Sequence, residues 1–347
     1  MQKILPYAEP IVKGYQNIAF PLSVSLLNEN FMPWFYSNFI QIRCRTDGFP
    51  NRELRLNFYG HTNYYKYPNL EVNTISKDLY SILSNSVIEF VIQCIDLGFY
   101  VKTNWDEYYI PERFYYLKEH FDHDVLVYGY DRTEKVFYTQ GYNKYGQYGV
   151  YKAPFDVFEQ GYAAGGQHTV CFRNKKNWSA PFNLDNVKSL LRQYLNAEDT
   201  SQIQNDYENN DRQYTYGMGV YHFIDNYLEN LLPRRLAFDR RVLYSLWEHK
   251  ACMVSRLKYM SELGYTEDEQ SFQYEEIEKK TRTLLNMFLK AGLLAGTNLS
   301  EAKRLIKNVR VGIQYISEFE QHFFEKLLAS LSSQNSQASY VNKRLHR

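Results

Sequence analysis

The sequence predicts an α+β protein in which a mixed N-terminal half is followed by a helical C-terminal half. Short strand-like segments and turn residues alternate up to about residue 175. Beyond that point, apolar residues recur at the spacing of amphipathic helices. With 347 residues, 44% of them hydrophobic, the chain is long enough for two cores. We therefore expect a first domain over 1–175, a helical domain over 176–331 and a disordered tail over 332–347.

The N-terminal half alternates between predicted helices and strands. Pro21 suits a first helical turn, where its missing N–H costs nothing, and Gly98 is a typical helix stop. The polar turn 131–134 between two apolar strands predicts a β-hairpin. The predicted helices cover 21–28, 77–97 and 154–162, and the predicted strands cover 34–45, 53–59, 99–104, 123–130, 135–139 and 147–152.

The C-terminal half is predicted as a series of amphipathic helices. In one of them Leu243, Trp247, Val254 and Leu257 share a face. Residues 196–213 are polar and acidic with little to bury, which predicts a flexible loop. The predicted helices cover 183–195, 214–232, 239–262, 272–291 and 299–329.

Charge and composition narrow the class of function. Forty basic residues nearly cancel thirty-nine acidic ones, which gives no electrostatic footprint for nucleic acid. The four cysteines are far apart and form no CxxC pair, so we expect no metal site. The first ten residues lack the apolar core of a signal peptide, and no run of 18 apolar residues could span a membrane. We therefore expect a cytoplasmic protein with reduced thiols and no bound cofactor.

The sharpest local feature is the segment 123–131, HDVLVYGYD. A histidine at the start of a strand, with the next strand paired antiparallel to it, is the base position of papain-like enzymes. The hairpin brings Thr139 and Gln140 roughly opposite His123, and the Gln140 amide oxygen could accept from one ring nitrogen. An ordinary histidine in a β-sheet is the alternative interpretation.

The run from Cys94 to Asp131 resembles the N-terminal domain of the butirosin-biosynthesis protein H family, which is similar in fold to papain-like and C39-like peptidases. The segment Trp105–Pro111 and the strand ending in Gly129-Tyr130-Asp131 carry the resemblance. It is clear over 94–160 and weaker over 1–60, and the GYD hairpin also occurs in C39-like peptidases. The resemblance implies a papain-like cysteine-peptidase-type N-terminal domain followed by a C-terminal α-helical bundle.

The resemblance also implies acyl transfer in specialised-metabolite biosynthesis, from a carrier-protein thioester to a small amine. The thioester would involve the phosphopantetheine of the partner carrier protein. The family uses a cysteine at the start of the first helix, a histidine that matches His123, and an orienting residue for which Gln140 is the nearest match. The residues expected around the substrate are Asn17, Trp105, Asp106, Tyr108 and Tyr109; Glu107 lies among them, and a solvated loop is the alternative interpretation for 106–109.

The sequence departs from this pattern at the nucleophile. No cysteine lies in 1–43, and Ala19 occupies the position where we expect it. The activity could have been lost while the fold was kept for binding, the cysteine could have been replaced at position 19, or Ser23 or Ser25 could serve instead. Gln140, where Asp or Asn would be expected, is a second departure.

Two groups of residues in the helical half are further candidates. Arg234 and Arg235, with Arg240 and Arg241 nearby, could contact an acidic carrier protein or its phosphate; a solvated turn is the alternative. Glu248 and His249 sit within a helix and are predicted to lie on its surface face, although they could reach a buried interface. The sequence leaves a homodimer open.

Three functions remain from the sequence alone. The first is a Cys-His acyltransferase whose cysteine is absent here. The second is a catalytically inactive papain-fold protein that binds a carrier protein or a peptide. The third is a C39-like peptidase or thioesterase with water as the acceptor.

Overall fold

The protein, seen here in a computed structural model, combines an antiparallel sheet with helices and has a helical C-terminal region. The structure describes residues 1–49, 53–84, 86–166, 168–200, 213–233 and 236–345, with side chains up to residue 332. The predicted α+β class is therefore confirmed at this level.

The described residues form strands and helices in the following chain order. They are β1 (Gln2–Ile4), α1 (Gln16–Ser25), α2 (Phe31–Asn38), β2 (Ile42–Arg45), β3 (Asn57–Phe58), β4 (Leu70–Ser76), α3 (Lys77–Leu83), α4 (Val87–Asp96), β5 (Tyr100–Asp106), β6 (Asp122–Asp131), β7 (Val136–Tyr142), β8 (Tyr148–Pro154), α5 (Phe155–Ala164), β9 (His168–Asn174), α6 (Leu184–Leu195), β10 (Tyr214–Tyr216), α7 (Val220–Leu231), α8 (Arg241–Glu262), α9 (Asp268–Leu294) and α10 (Leu299–Leu345).

The chain divides into two compact units. The first comprises Met1–Phe31 and His61–Ala180, and the second comprises Met32–Gly60 and Pro181–Arg347. The sequence places a boundary near residue 175, close to Ala180. It does not predict that Met32–Gly60 belongs with the helical unit.

The first unit is built on a sheet with the strand order β4-β9-β5-β6-β7-β8, and β1 pairs with the far end of β6. All of these pairs are antiparallel. In the pairing of β5 with β6, Trp105 lies opposite His123 and Asp106 lies opposite Asp122. This register brings the end of β5 and the turn that follows it beside the first residues of β6.

Helix α1 begins earlier in the sequence than predicted. It runs from Gln16 to Ser25, so Pro21 lies inside the helix and not in its first turn. Because proline has no N–H, the carbonyl of Asn17 loses its usual helical donor at that point. Most of the helix is buried, from Ile18 through Ser25, so packing offsets this loss.

The segment 34–45 was predicted as one strand, and that prediction is wrong for its first half. Residues 31–38 form α2, and only Ile42–Arg45 is a strand. Aromatic residues favour strands in composition, but Phe35 and Phe39 stack one helical turn apart, with ring centroids 4.4 Å apart. Tertiary packing of these rings outweighs the local preference.

The single helix predicted over 77–97 is two helices in the structure, α3 and α4. Ser86 caps α4 by accepting a hydrogen bond from the Glu89 N–H at 3.3 Å. Gly98 has φ +82° and ends α4 as predicted. Serine side chains compete for backbone groups and favour a new helix start over a continuous helix.

The second unit joins the small antiparallel sheet β10-β2-β3 to helices α6–α10. Residues 214–216 form β10, so the helix predicted over 214–232 begins only at Val220. Helix α10 extends to Leu345, whereas the sequence predicts a disordered tail over 332–347. Most of the loop predicted over 196–213 lies outside the described residues.

The helices of the second unit enclose a buried ion pair. Lys250 Nζ lies 2.8 Å from Glu320 Oε1, and both side chains are fully buried. Tyr194 and Tyr221 donate to Glu320 Oε2 at 2.8 and 2.5 Å, and Tyr274 donates to its other oxygen. The ammonium and both carboxylate oxygens therefore have hydrogen-bond partners, which is the condition for burying such a pair.

Glu248 and His249 are buried, which corrects the prediction that they lie on a surface face. His249 Nε2 lies 2.8 Å from the carbonyl oxygen of Ile40, and the Lys250 ammonium lies 3.1 Å from its Nδ1. Burial lowers the pKa of His249 well below its usual value, and the charge of Lys250 adds to the effect. These contacts are structural.

Candidate functional site

The candidate site forms around His123, the second residue of β6 in the first unit. Its side chain is about one-third exposed, with a relative accessibility of 35%. The strand fixes its backbone, because β5 pairs with β6 from residue 101 to residue 106. The imidazole is therefore held at the edge of a rigid sheet and remains open to solvent on one side.

Glu107 orients the imidazole. It is the first residue of a short 3₁₀ turn after β5, and Asp106 caps that turn by accepting from the Tyr108 N–H at 3.0 Å. The buried Oε1 of Glu107 lies 2.7 Å from Nδ1 of His123. If the carboxylate is ionised, Nδ1 carries the proton and donates it, which leaves the lone pair on Nε2. This is the arrangement of a general base with its orienting carboxylate.

Gln16 faces the other ring nitrogen. Its Nε2 lies 3.5 Å from Nε2 of His123, at the outer limit of a hydrogen bond, and donates to the carbonyl of Asp124 at 2.8 Å. Its Oε1 accepts from the N–H of Tyr142 at 2.7 Å. A carboxamide at the start of α1 thus lies beside Nε2, the ring nitrogen that does not face Glu107.

The structure places Ala19 elsewhere. Ala19 is fully buried, and its N–H donates to the carbonyl of Tyr15 at 3.0 Å. Asn17 is partly buried one residue after Gln16. Ser23 donates to the carbonyl of Phe20 at 2.8 Å, and Ser25 is buried in the last turn of the helix. Within the described part of the chain, no thiol or hydroxyl lies within hydrogen-bond distance of His123.

Gln140 does not orient His123, which corrects the role expected for it. It lies opposite Leu126 in β6 and Val150 in β8, and its Oε1 accepts from the hydroxyl of Tyr148 at 3.1 Å. From the sequence, Glu107 is expected only among the residues that surround a substrate. The pairing of Trp105 with His123 places the next turn beside the imidazole, and this non-local register is not readable from the sequence pattern.

Arg113 is a buried cation behind this pair. Its Nη1 donates to the carbonyl of Tyr142, and its guanidinium lies 5.0 Å from the centre of the Trp105 ring. Burial lowers the pKa of Arg113 to about 10, while the nearby Glu107 carboxylate counteracts the shift. Arg113 could not be singled out from the sequence, because an arginine in a polar loop resembles any surface arginine.

Gly141 makes room for these side chains. A Cβ there would lie 2.7 Å from Oε1 of Gln16 and 2.8 Å from Nη1 of Arg113. No real Cβ approaches so closely, so a side chain at this position would push Gln16 or Arg113 away. A side chain at position 141 would therefore disturb the contacts of Gln16 and Arg113.

A second histidine–carboxylate pair lies next to the first. Nδ1 of His120 is 2.6 Å from Oδ2 of the buried Asp106, and the ring of Tyr108 stacks on the imidazole at 4.4 Å. Burial would raise the pKa of Asp106. Hydrogen bonds from His120 and from the N–H groups of Tyr108 and Phe121 outweigh burial, and the pKa lies below its usual value.

The other residues expected around a substrate divide between core and surface. Trp105 is buried and packs edge-on against Phe158 at 6.2 Å, so it belongs to the core. Tyr108 and Tyr109 are half-buried, with ring centroids 5.2 Å apart. These two rings and the imidazole of His120 reach the surface beside Asp106.

The proposed carrier-protein contacts cannot be placed. Arg234 and Arg235 lie outside the described residues. Arg241 is described in the second unit, where it pairs with Asp239 at 2.8 Å and with Glu53 at 3.1 Å.

Within the described ranges, no group of three or more His, Cys, Asp and Glu side chains could hold a metal ion. None of the helices described combines the length and apolar character that a membrane-crossing segment needs. Comparison with models of protein families gives no match for this chain, and no curated protein matches it.

Proposed function

We propose that the first unit is a papain-like domain without a nucleophile, which binds an acyl or peptidyl group carried by a partner carrier protein. The family resemblance supplies the class of ligand. The single observation that carries the proposal is the contact of Gln16 with His123. The lone pair of an amide nitrogen is delocalised, so Gln16 cannot attack a thioester, and its carboxamide fills the nucleophile's place.

Aromatic side chains beside the imidazole support binding of an apolar group. The ring of Phe121 lies 5.3 Å from that of His123, and Tyr115 lies 4.4 Å from Phe121. Phe114 and Phe121 are exposed, at 55% and 37%. Exposed aromatic groups in one place are typical of ligand or partner contacts, and an acyl chain could cover these rings.

A second candidate is acyl transfer without a covalent intermediate. The observation that favours it is the intact His123–Glu107 pair. With its proton on Nδ1, the imidazole could accept the proton of an amine that attacks the carrier-protein thioester directly. In that case Gln16 would move aside or donate to the developing oxyanion.

Binding of acyl-pantetheine thioesters distinguishes the two candidates. We expect saturable binding by calorimetry, no covalent adduct by intact mass, and no aminolysis or hydrolysis above the buffer rate. Phe121→Ala should weaken binding about tenfold, whereas Phe272→Ala, at an exposed phenylalanine of the second unit, should leave it unchanged. Turnover by the wild-type protein would support the second candidate, and absence of binding would contradict the proposal.

Gln16→Cys tests the papain-like geometry itself. A thiol there would stand at a helix N-terminus beside an imidazole, and both lower a cysteine pKa. We expect iodoacetamide at pH 6 to alkylate this thiol at least tenfold faster than the thiol of a second variant, Ala19→Cys, which lies at a fully buried position of the same helix. Equal rates for the two variants, with both correctly folded by circular dichroism, would contradict the papain-like arrangement.

A further inference from the structure

Two cysteines of the first unit face each other. Cys94 lies in the last turns of α4 and Cys171 in the middle of β9, and their Sγ atoms are 3.7 Å apart. A disulfide needs about 2.05 Å between the sulfurs. The side chains already point at one another, so bond formation requires a shift of only about 2 Å.

Their positions differ in the way that thiol exchange requires. Cys94 is half-buried and can meet a reagent, whereas Cys171 is buried. The hydrogen bond with Cys171 lowers the pKa of the Cys94 thiol against the effect of burial. The same hydrogen bond, with burial, raises the pKa of Cys171. Because Cys94 is the more exposed of the two, it is the attacking thiol, and Cys171 is the resolving thiol beside it.

We propose that Cys94 and Cys171 are a redox-active pair that forms a reversible intramolecular disulfide with a small-molecule disulfide, such as oxidised glutathione, as the oxidant. The Cys94 thiolate attacks one sulfur of oxidised glutathione, and one glutathione thiolate leaves. Cys171 then releases its proton, and its sulfur attacks Sγ of Cys94 and expels the second glutathione. The two cysteines lose two electrons and two protons, which appear in two molecules of reduced glutathione.

The bond would join α4 covalently to the centre of the sheet. Cys171 lies opposite Asn73 in β4 and Val101 in β5, so β9 has a neighbour on each side. The cysteines are 77 positions apart in sequence. Closing so long a loop restricts the unfolded chain, and we expect oxidation to raise the thermal midpoint of the first unit by roughly 5–10 °C.

The experiment uses the full-length protein and oxidised glutathione under native conditions. After denaturation, maleimide labelling should show two of the four thiols lost, and peptide mapping should show a crosslink between Cys94 and Cys171 that dithiothreitol reverses. Cys44 and Cys252 are the internal controls, because both are buried and burial raises the pKa of each. They should remain reduced.

Single variants separate attack from resolution. In Cys171→Ser, a glutathione adduct should accumulate on Cys94, since no second thiol expels it. In Cys94→Ser, the buried Cys171 should stay unmodified, and circular dichroism checks that each variant is folded. Four free thiols in the oxidised wild type, a persistent glutathione adduct on it, or a crosslink that involves Cys44 or Cys252 would each overturn the proposal.

Discussion

The carboxamide of Gln16 is fixed from three sides, and its nitrogen lies 3.5 Å from Nε2 of His123. Its other contacts are to backbone groups of Asp124 and Tyr142, at 2.8 and 2.7 Å. The glutamine therefore ties the start of α1 to β6 and β7. A single side chain that contacts the imidazole and also joins three elements holds the start of α1 beside His123.

Glu107→Gln should destabilise the protein. The change keeps the shape of the side chain but removes a buried negative charge that lies beside His123 and near the buried Arg113. Removing one partner of a buried charged group leaves the other uncompensated, so we expect the free energy of unfolding to fall by about 2–4 kcal/mol. Urea unfolding measures the change.

Glu112→Gln is the matched control. Glu112 is exposed, and its carboxylate lies 3.6 Å from the Lys144 ammonium. Solvent screens such a pair, so the loss should stay below about 1 kcal/mol. Equal losses in the two variants would show that Glu107 does not hold a buried charge network.

The hairpin of β6 and β7 can be predicted from the local sequence, whereas the contact between His123 and Glu107 cannot. Two apolar segments within residues 123–139 predict β6 and β7, and the polar turn between them predicts that they pair as a hairpin. The partner of His123 is Glu107, which depends on the pairing of β5 with β6 across an intervening loop. Such pairing is non-local, and hydrophobic periodicity does not specify it.

The start of α1 is a second feature that could not be predicted from the sequence. Because proline suits a first helical turn, the sequence predicts a helix start at Pro21, five positions after the true start at Gln16. Tyr15 precedes the helix with an extended backbone and makes no side-chain cap. Without a capping residue the start is not readable from sequence, and the expected nucleophile position was therefore assigned to Ala19.

Asp106→Asn should lower stability in a pH-dependent way. The pKa of Asp106 lies below its usual 3.8, because its hydrogen bonds outweigh the cost of burial. A carboxyl with a lowered folded-state pKa contributes its stability in full above the unfolded value and loses it as the pH falls through the folded value. We expect wild type to exceed the variant by about 1–3 kcal/mol at pH 7, and the difference to shrink below about pH 3.8. Urea unfolding at pH 7 and pH 3 measures it.

An exposed carboxyl provides the comparison. Asp185 is 85% exposed and pairs with Lys188 at 3.1 Å. Asp185→Asn should change the free energy of unfolding by less than about 1 kcal/mol at both pH values. A constant difference between wild type and Asp106→Asn from pH 7 to pH 3 would be evidence against the hydrogen-bonded carboxylate.

Lys250→Met should be among the most destabilising single changes in the second unit. The ammonium of Lys250 is the only charge the structure places, within its described residues, in contact with the buried carboxylate of Glu320. Removing it leaves that carboxylate to the three tyrosine hydroxyls, and we expect a loss of about 3–5 kcal/mol.

The double variant Lys250→Met/Glu320→Gln and a surface control complete this test. The double variant removes both charges and should lose less than the sum of the single variants, since the two changes share one interaction. Lys258→Met, on the same helix, breaks a partly exposed pair with Glu275 at 2.5 Å, and its cost should stay below about 1 kcal/mol. Because both lysines lie on α8, helix propensity is matched, and the difference in unfolding free energy isolates burial. Additive losses in the double variant would mean that the two groups do not depend on each other, although their separation is 2.8 Å.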